Sequence, residues 1–343
     1  MRLDDLDFIL PPEQIAQTPL ASRSASRMLI VDRKSGEFHD AKFTDLVGEL
    51  GPDDTLVLNN TKVFPARLFG RTETGAAIEM LLIEEVEPRV WDAVARPGKR
   101  LSPEKRVIFD ERFSAVVLEK LDGGRVRFRF KTEGDLDEQI DRLGNTPLPP
   151  YITPDEAKRE FDRERYQTVF AAERGAIAAP TAGLHFTDEI LDAIRGNGTK
   201  IVELTLHVGY GTFEPVRVEE LEEHRVLPER FSITEDAANA LNDSLETGKR
   251  IVAVGTTTTR ALESAIRAKG RFEAGAGVAD LTVTPGYKFK AVSALVTNFH
   301  LPKSSLLILV STFGGHKLIM DAYGHAVREG YRFYSYGDCM FVK

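Results

Sequence analysis

The stretch Thr55-Leu56-Val57-Leu58-Asn59-Asn60 separates two kinds of sequence and thereby decides the fold. Its apolar run, followed by polar turn residues, predicts a buried β-strand that ends at the asparagines. Over residues 66–130, short apolar runs alternate with turn residues, which is typical of a β-barrel or small sandwich with little helix. Val126, Phe128 and Phe130 alternate with arginines, so we expect one apolar and one charged face.

The rest of the chain predicts an α/β domain that the β-domain interrupts. The proline-rich segment 145–152 is typical of an extended connector that returns the chain to a second domain. Beyond it, helical and strand-like patterns alternate, which favours a substantially parallel sheet. The predicted helices are 188–195, 235–246, 260–268 and 317–328, with helix-like sequence at 154–170, and the predicted strands are 201–206, 251–255 and 306–311. We therefore expect a discontinuous α/β domain at 1–62 and 151–343, with a mostly antiparallel β-barrel inserted at 63–150.

Length and composition are those of a soluble globular protein. The 343 residues, 42% hydrophobic and 29% charged, are enough for two domains. The acidic first residues do not resemble a secretory signal, and the longest strongly apolar run, 306–310, is too short to cross a bilayer. We expect a cytoplasmic protein with no membrane partner, and a monomer. Cys339 is the single cysteine, which excludes an intrachain disulfide and a thiolate-rich metal site.

Charge is distributed unevenly along the chain. The net charge of −8 argues against non-specific binding of nucleic acid by the whole surface. Residues 95–131, however, contain eleven lysines and arginines and only five acidic residues. Such a module predicts a docking face for a polyanion, although a solvated face of a β-domain has the same composition. The candidate contacts to RNA are Lys99, Arg100, Lys105 and Arg106.

Three histidines lie in short turns rich in glycine, proline and threonine. His185 ends the stretch Pro180-Thr181-Ala182-Gly183-Leu184-His185, His207 begins His207-Val208-Gly209-Tyr210-Gly211, and His300 ends Thr297-Asn298-Phe299-His300. Because glycine and proline direct the backbone, we expect each imidazole to be held by stiff local geometry. A structural role explains any one of them, whereas three together favour a functional site. A three-histidine zinc site is conceivable, but the spacing is not that of paired ligands, and we expect no metal.

A second candidate site is the stretch Val254-Gly255-Thr256-Thr257-Thr258-Thr259-Arg260, where a strand runs into a helix. Hydroxyls and free N–H groups at a helix start bind anions, and Arg260 can add a two-pronged contact to carboxylate or phosphate. Threonines also act simply as helix caps. Two nucleotide-binding motifs are excluded, because Gly248-Lys249 lacks the first P-loop glycine and Gly209-Tyr210-Gly211 lacks a third glycine.

The C-terminal segment 331–340 carries alternating aromatic residues, which predict a strand that breaks at Gly337-Asp338. Aromatic rings with one carboxylate suit a bound organic cation. An ordinary turn aspartate is the alternative.

Together these motifs resemble one family over nearly the whole chain, the S-adenosylmethionine:tRNA ribosyltransferase-isomerases of queuosine biosynthesis. The blocks that carry the resemblance are 7–17, 58–67, 148–152, 166–170, 175–187, 205–213, 254–264, 285–287, 297–302 and 331–340. The chain departs from the family at Ser24, where an acidic residue is usual. It also has Leu227 and Pro228 after His224, where the family commonly carries a second histidine and a serine. These departures bear on Arg23 and His224.

The resemblance implies an enzyme that transfers and isomerises the ribosyl group of S-adenosylmethionine, not its methyl group. The acceptor is the aminomethyl group of 7-aminomethyl-7-deazaguanine at the tRNA wobble position, and the products are epoxyqueuosine-tRNA, adenine and methionine. His185, His207 and His300 are the candidates for general base and general acid, and Asp338 is expected to face the sulfonium or the acceptor ammonium. The candidate substrate contacts are Thr181, Gly183, Gly209, Gly211, Thr256, Thr257, Thr258, Thr259, Arg260, Asn298 and Tyr336. The alternatives are an S-adenosylmethionine-dependent RNA methyltransferase and a non-catalytic RNA-binding protein.

Overall fold

The structure, a computed structural model, describes residues 1–213 and 216–343. The strands, in chain order, are β1 (Arg27–Asp32), β2 (Glu37–Lys42), β3 (Asp54–Asn59), β4 (Thr61–Val63), β5 (Arg67–Thr72), β6 (Ala77–Glu87), β7 (Val90–Arg96), β8 (Arg106–Ile108), β9 (Phe113–Lys120), β10 (Arg125–Thr132), β11 (Glu173–Ala176), β12 (Lys200–Leu206), β13 (Glu229–Ile233), β14 (Arg250–Val254), β15 (Gly275–Ala279), β16 (Ala294–Asn298) and β17 (Cys339–Val342). The α-helices are α1 (Leu46–Glu49), α2 (Leu136–Leu143), α3 (Arg159–Arg165), α4 (Asp188–Gly196), α5 (Glu235–Glu246), α6 (Thr256–Arg267), α7 (Ser305–Gly314) and α8 (His316–Arg328).

A mixed sheet of nine described strands forms the larger part, in the order β15-β13-β12-β3-β14-β16-β17-β1-β2. The four adjacent strands β12, β3, β14 and β16 run parallel, and antiparallel strands flank them. In β3, Val57 packs into one apolar cluster and Leu56 and Leu58 pack into another, so helices and loops cover both faces. The carboxyl ends of the parallel strands therefore meet at one edge, where open α/β sheets bind ligands.

The predicted barrel is confirmed. Strands β10-β7-β6-β5-β8-β9 close into an antiparallel barrel, and all six lie within the predicted insertion 63–150. Val126, Phe128 and Phe130 are buried in its interior, whereas Arg125 and Arg129 are exposed, as their alternation predicts.

A small parallel sheet of β4 and β11 connects the barrel to the α/β part. The Phe64 N–H donates to the Ala176 carbonyl at 3.1 Å, and Ile177 packs into the apolar core of the barrel. The two ends of the insertion are also tied together, because Arg67 and Asn145 exchange backbone hydrogen bonds of 3.2 and 2.8 Å. The first chain crossing is thus tied to β11, and the two crossings are tied to each other.

The predicted strand 306–311 is wrong, because this segment is helix α7. The Ser304 hydroxyl accepts a hydrogen bond from the Leu307 N–H at 3.3 Å and caps the helix. Residues 307–311 are all buried, so the helix is apolar around most of its circumference. A short, fully buried helix has the same continuous apolar pattern as a buried strand.

The predicted strand across 331–340 is also wrong for most of its length, since only β17, which begins at Cys339, is a strand. Tyr331 and Phe333 instead pack against the Phe299 ring, and Tyr334 has a φ of 76°, which no strand accommodates. The aromatic residues are therefore core residues of a loop.

Most other predicted elements are confirmed, among them α4, α5, α8, β12 and β14. Helix α6 begins four residues earlier than predicted, at Thr256, and the helix predicted in 154–170 is shorter, at Arg159–Arg165. Among the described residues, no helix has the length and apolar character needed to span a membrane.

Candidate functional site

The candidate site lies at the carboxyl edge of the parallel strands. His207 follows β12, helix α6 begins after β14, and Asn298 ends β16. A short 3-10 helix at Thr181–His185 contacts this edge, since a side chain at Gly255 would meet the Ala182 Cβ at 3.8 Å. The turn motifs, distant in sequence, are therefore neighbours in the fold.

His185 is the buried centre of this edge. Its Nδ1 lies 2.9 Å from the Ser26 hydroxyl, and its Nε2 lies 3.4 Å from the Asn298 amide nitrogen. Burial, with smaller contributions from the Arg23 and Arg332 charges, lowers the pKa of His185 to about 4. The imidazole is therefore neutral at neutral pH and has a lone pair that can accept a proton.

His300 is held through one ring nitrogen and its backbone N–H. Its Nε2 lies 2.8 Å from the Thr297 hydroxyl, and its backbone N–H donates to the Tyr323 hydroxyl at 3.0 Å. Burial lowers the pKa of His300 to about 3. His300 and His185 share the end of β16, but only His185 lines one of the two cavities described below.

His207 belongs to the connection with the barrel. Its Nδ1 lies 2.8 Å from the Thr61 hydroxyl at the start of β4, and burial lowers its pKa. A Cβ at Gly175 in β11 would approach the imidazole to 2.6 Å, so glycine is required there for the ring to fit. The described contacts of His207 thus join β4 and β11. In the described parts of the chain, three His, Cys, Asp or Glu side chains nowhere come together as a metal site.

A cavity, here called the Arg260 cavity, lies where helices α6 and α7 begin. The polar residues that line it are Gly211, His224, Glu229, Thr257, Arg260, Thr282 and Ser305. The His224 Nε2 lies 2.8 Å from the Ser305 hydroxyl, and burial lowers the pKa of His224. Sequence reasoning missed Ser305, because a serine beside the Ser304 cap has no distinctive local signal.

Arg260 is engaged with the protein itself. Its Nη1 donates to the Glu229 carboxylate at 2.5 Å, and the two side chains are only 9% and 4% exposed. Its other nitrogens donate to the carbonyls of Leu227, Ala279 and Leu281. Four of its five N–H donors are therefore in use, and the geometry favours a structural role over the predicted two-pronged anion contact.

The four threonines of α6 divide into two pairs. Thr258 and Thr259 are fully buried, and their hydroxyls donate to the carbonyls of Val254 and Gly255 at 2.6 and 3.1 Å. Their burial and internal hydrogen bonds favour a structural role over the predicted substrate contacts, which stay predictions. Thr256 and Thr257 occupy the first turn, and Thr257 lines the Arg260 cavity.

A second cavity, here called the Arg23 cavity, opens beside His185. Its polar lining is formed by Arg23, Ser26, Arg165, His185, Ser335 and Tyr336. Of the predicted contacts nearby, Thr181 is half-buried and Gly183 is buried, and a side chain at Gly183 would meet Thr168 at 2.8 Å.

Asp338 is buried and anchors the chain. Its two carboxylate oxygens accept the backbone N–H groups of Arg27 and Arg332 at 2.9 and 2.8 Å. These bonds fix the start of β1 to the loop before β17. The geometry therefore favours a structural role for Asp338 over the predicted contact with a substrate cation.

Two of the positions that depart from the family pattern make ordinary local contacts. The Ser24 hydroxyl lies 3.1 Å from that of Ser22, and the Leu227 side chain is exposed while its carbonyl accepts from Arg260. Gly209 is held by the Glu229 carboxylate, which accepts its N–H at 2.8 Å.

The four predicted RNA contacts of the barrel are exposed. Arg100 and Lys105 line one open groove, and Arg106 donates to the Ser114 hydroxyl at 3.0 Å. Part of the local positive charge is neutralised, because Arg127 pairs with Asp92.

Comparisons with known proteins agree over the full length. A family model described as queuosine biosynthesis protein matches residues 3–342. The chain is 47% identical over 348 residues to the S-adenosylmethionine:tRNA ribosyltransferase-isomerase of Syntrophotalea carbinolica. It is 46% identical over 345 residues to the enzyme of the same name from Halothermothrix orenii. Each alignment covers 100% of this chain and 100% of the relative. The crystal structure of S-adenosylmethionine tRNA ribosyltransferase from Thermotoga maritima is 35% identical, covers 99% of this chain and 100% of its own, and superposes with a TM-score of 0.56.

Proposed function

Since the chain belongs to the queuosine biosynthesis family of S-adenosylmethionine:tRNA ribosyltransferase-isomerases, a class of transferases, we propose that its α/β part performs this reaction at the carboxyl edge of the sheet. The ribosyl group of S-adenosylmethionine passes to the aminomethyl group of a 7-deazaguanine at the tRNA wobble position. The observation that carries the proposal is the 46–47% identity to such enzymes over the whole chain. A tRNA substrate also favours a cytoplasmic location for the protein. The expected monomeric state stays a prediction.

The chemistry requires a base at carbon and an acid at the departing adenine. The positive sulfur acidifies the adjacent ribose carbon, and removal of that proton allows the sugar ring to open as adenine leaves. Ring opening leaves an aldehyde at the carbon that carried adenine. The acceptor amine then adds to the vinyl sulfonium, and the sulfur ylide so formed attacks this aldehyde to close a carbon ring. The resulting alkoxide displaces methionine from the neighbouring carbon and forms the epoxide, while the amine nitrogen loses a proton. A well-placed side chain accelerates each proton transfer by about 10² to 10⁴.

We assign the base to His185. Its imidazole is neutral, lines a cavity, and is oriented by Ser26 on one nitrogen and by Asn298 near the other. The Ser26 hydroxyl and the Asn298 amide hold the imidazole ring in a fixed orientation, which proton transfer needs. His300 and His207 remain candidates for the acid.

The methionine end of S-adenosylmethionine is proposed to enter the Arg260 cavity. The first turns of α6 and α7 contribute Thr257 and Ser305 there, and unpaired N–H groups at helix starts attract a carboxylate. In this arrangement Arg260 supports the wall of the cavity through Glu229.

The exposed basic face of the barrel, formed by Lys99, Arg100, Lys105 and Arg106, is proposed to hold tRNA phosphates while the wobble base is unstacked into the α/β part. A variant with these four residues neutralised is expected to bind tRNA with a smaller salt slope. An unchanged slope would reject this docking face.

The catalytic assignment is tested by adenine release from tRNA and S-adenosylmethionine in His185→Ala, His207→Ala and His300→Ala. We expect turnover to fall most in His185→Ala, by about 10² or more. Wild-type turnover in all three variants would make the assignment wrong. Products separate the alternatives, because a methyltransferase releases S-adenosylhomocysteine and a non-catalytic protein leaves the RNA unmodified.

A further inference from the structure

Three arginines gather at the Arg23 cavity without a carboxylate partner. Arg23 and Arg165 line it, and Arg332 lies at its margin, where its guanidinium donates to the Thr18 carbonyl next to the lining residue Pro19. None of the three forms an ion pair within residues 1–213 and 216–343. Their donors reach backbone carbonyls instead, and those of Arg23 are long, at 3.3–3.5 Å.

Some donors of this group reach no acceptor in the described chain. The Arg165 Nε, the Arg332 Nη1 and the Tyr336 hydroxyl are buried without a hydrogen-bond partner. A buried donor left in this way destabilises the folded chain, because it has lost its hydrogen bonds to water. A ligand with acceptor oxygens in or beside the Arg23 cavity would offer such donors a partner.

The charges also oppose one another. Burial and then the Arg165 charge lower the pKa of Arg23, and both Arg23 and Arg332 contribute to the lowered pKa of His185. The nearby acids are Asp162, Glu164 and Asp338, and none lines the cavity. A bound anion would therefore offset a repulsion that the chain itself leaves in place.

We propose that the Arg23 cavity binds one phosphodiester of the tRNA substrate, held by Arg23, Arg165 and Arg332. This inference rests on the proposed function, which supplies the RNA. Guanidinium groups match the paired oxygens of a phosphate. Because His185 lines the same cavity, this phosphate would hold the target nucleotide beside the proposed base.

A carboxylate from S-adenosylmethionine is the other source of such an anion, and the lining argues against it. The methionine end carries an ammonium as well as a carboxylate, so its site needs an acidic partner. The Arg260 cavity contains Glu229, whereas no carboxylate lines the Arg23 cavity. A phosphodiester carries negative charge only and fits the latter.

The test is a double-mutant cycle between protein and RNA. Arg23→Gln is chosen because the weak bonds of Arg23 to carbonyls make it the least structural of the three. Arg195→Gln is the matched control, since it removes the same charge from an exposed pair with Asp192 on α4. The probes are an anticodon stem-loop and a series in which a methylphosphonate replaces one phosphate at a time, with S-adenosylmethionine binding measured separately.

We expect Arg23→Gln to weaken stem-loop binding about tenfold and to reduce the salt slope by about 0.7, with S-adenosylmethionine affinity unchanged. One methylphosphonate position should weaken binding to the wild type but not further to Arg23→Gln. Loss of S-adenosylmethionine affinity with RNA binding intact, or no change beyond that of Arg195→Gln, would overturn the proposal.

The phosphate scan on the wild-type protein keeps the test decisive if Arg23→Gln fails to fold. A scan in which no single phosphate matters would also overturn the proposal. These binding measurements do not need turnover, so their failure is distinguishable from a failure of the ribosyl transfer itself.

Discussion

Removal of the Arg260 guanidinium separates a structural role from an anion site. Arg260→Ala leaves the Glu229 carboxylate, 4% exposed, as a buried charge without its guanidinium partner. It also removes the N–H groups that donate hydrogen bonds to the carbonyls of Leu227, Ala279 and Leu281. Loss of one partner from a buried ion pair costs about 3–5 kcal/mol. We expect a decrease of that size in the free energy of unfolding, measured by urea titration.

Two further variants sharpen this prediction. Arg195→Ala removes the same charge from a pair whose side chains are 53% and 73% exposed, and should cost less than about 1 kcal/mol. Adding Glu229→Gln to Arg260→Ala should recover part of the loss, because the buried charge disappears. The reasoning is refuted if Arg260→Ala is as stable as Arg195→Ala while its KM for S-adenosylmethionine rises more than about tenfold.

Two other predictions concern acid stability and the helix start. In the folded chain the pKa of His185 is about 4 and that of His300 about 3, below the value of about 6.5 expected in the unfolded chain. The unfolded state therefore binds more protons below pH 6.5, so stability should be full above that pH and fall as the pH drops towards 4. The urea midpoint of unfolding should decrease as the pH falls from 6.5 to 4, and it should decrease less steeply in His300→Gln than in the wild type. Equal pH dependence in the two proteins would contradict the lowered pKa of His300. For α6, Thr258→Val should leave kcat/KM near the wild-type value because the buried Thr258 hydroxyl donates to the Val254 carbonyl at the end of β14. Thr257→Val should instead raise the KM for S-adenosylmethionine, because Thr257 lines the Arg260 cavity. The reverse order, measured by initial rates of adenine release, would show that the wrong threonine faces the substrate.

Elements whose burial repeats at a regular period are predicted correctly, and the buried strands β3 and β14 are predicted from their continuous apolar runs. Barrel strand β10 alternates cleanly because one face is buried and the other exposed. The sequence predicts a strand in place of helix α7 because the burial of this helix has no such period. It also predicts a strand over the 331–338 loop, because the buried aromatic residues of this loop alternate along the sequence as they would in a strand. The local apolar pattern indicates which residues are buried. It does not identify the secondary structure where a segment is fully buried or irregular.

The site was predictable only in part, because its partners come from distant positions. The turn of His185 is visible in the sequence, but Ser26, which orients the imidazole, lies 159 positions away. The pairing of Arg260 with Glu229 spans 31 positions and favours a structural role for Arg260 over the predicted anion contact. No local motif carries such information, since either residue alone has an ordinary context.

The central claim is that the ribosyl group, and not the methyl group, reaches the RNA. Incubation of the protein and tRNA with S-adenosylmethionine labelled either in its ribose or in its methyl group tests this claim directly. We predict that ribose label appears in the purified tRNA, with adenine and methionine released in equal amounts. Methyl label in the tRNA accompanied by S-adenosylhomocysteine would contradict the account. Absence of label in the tRNA with both labelled forms of S-adenosylmethionine would also contradict it.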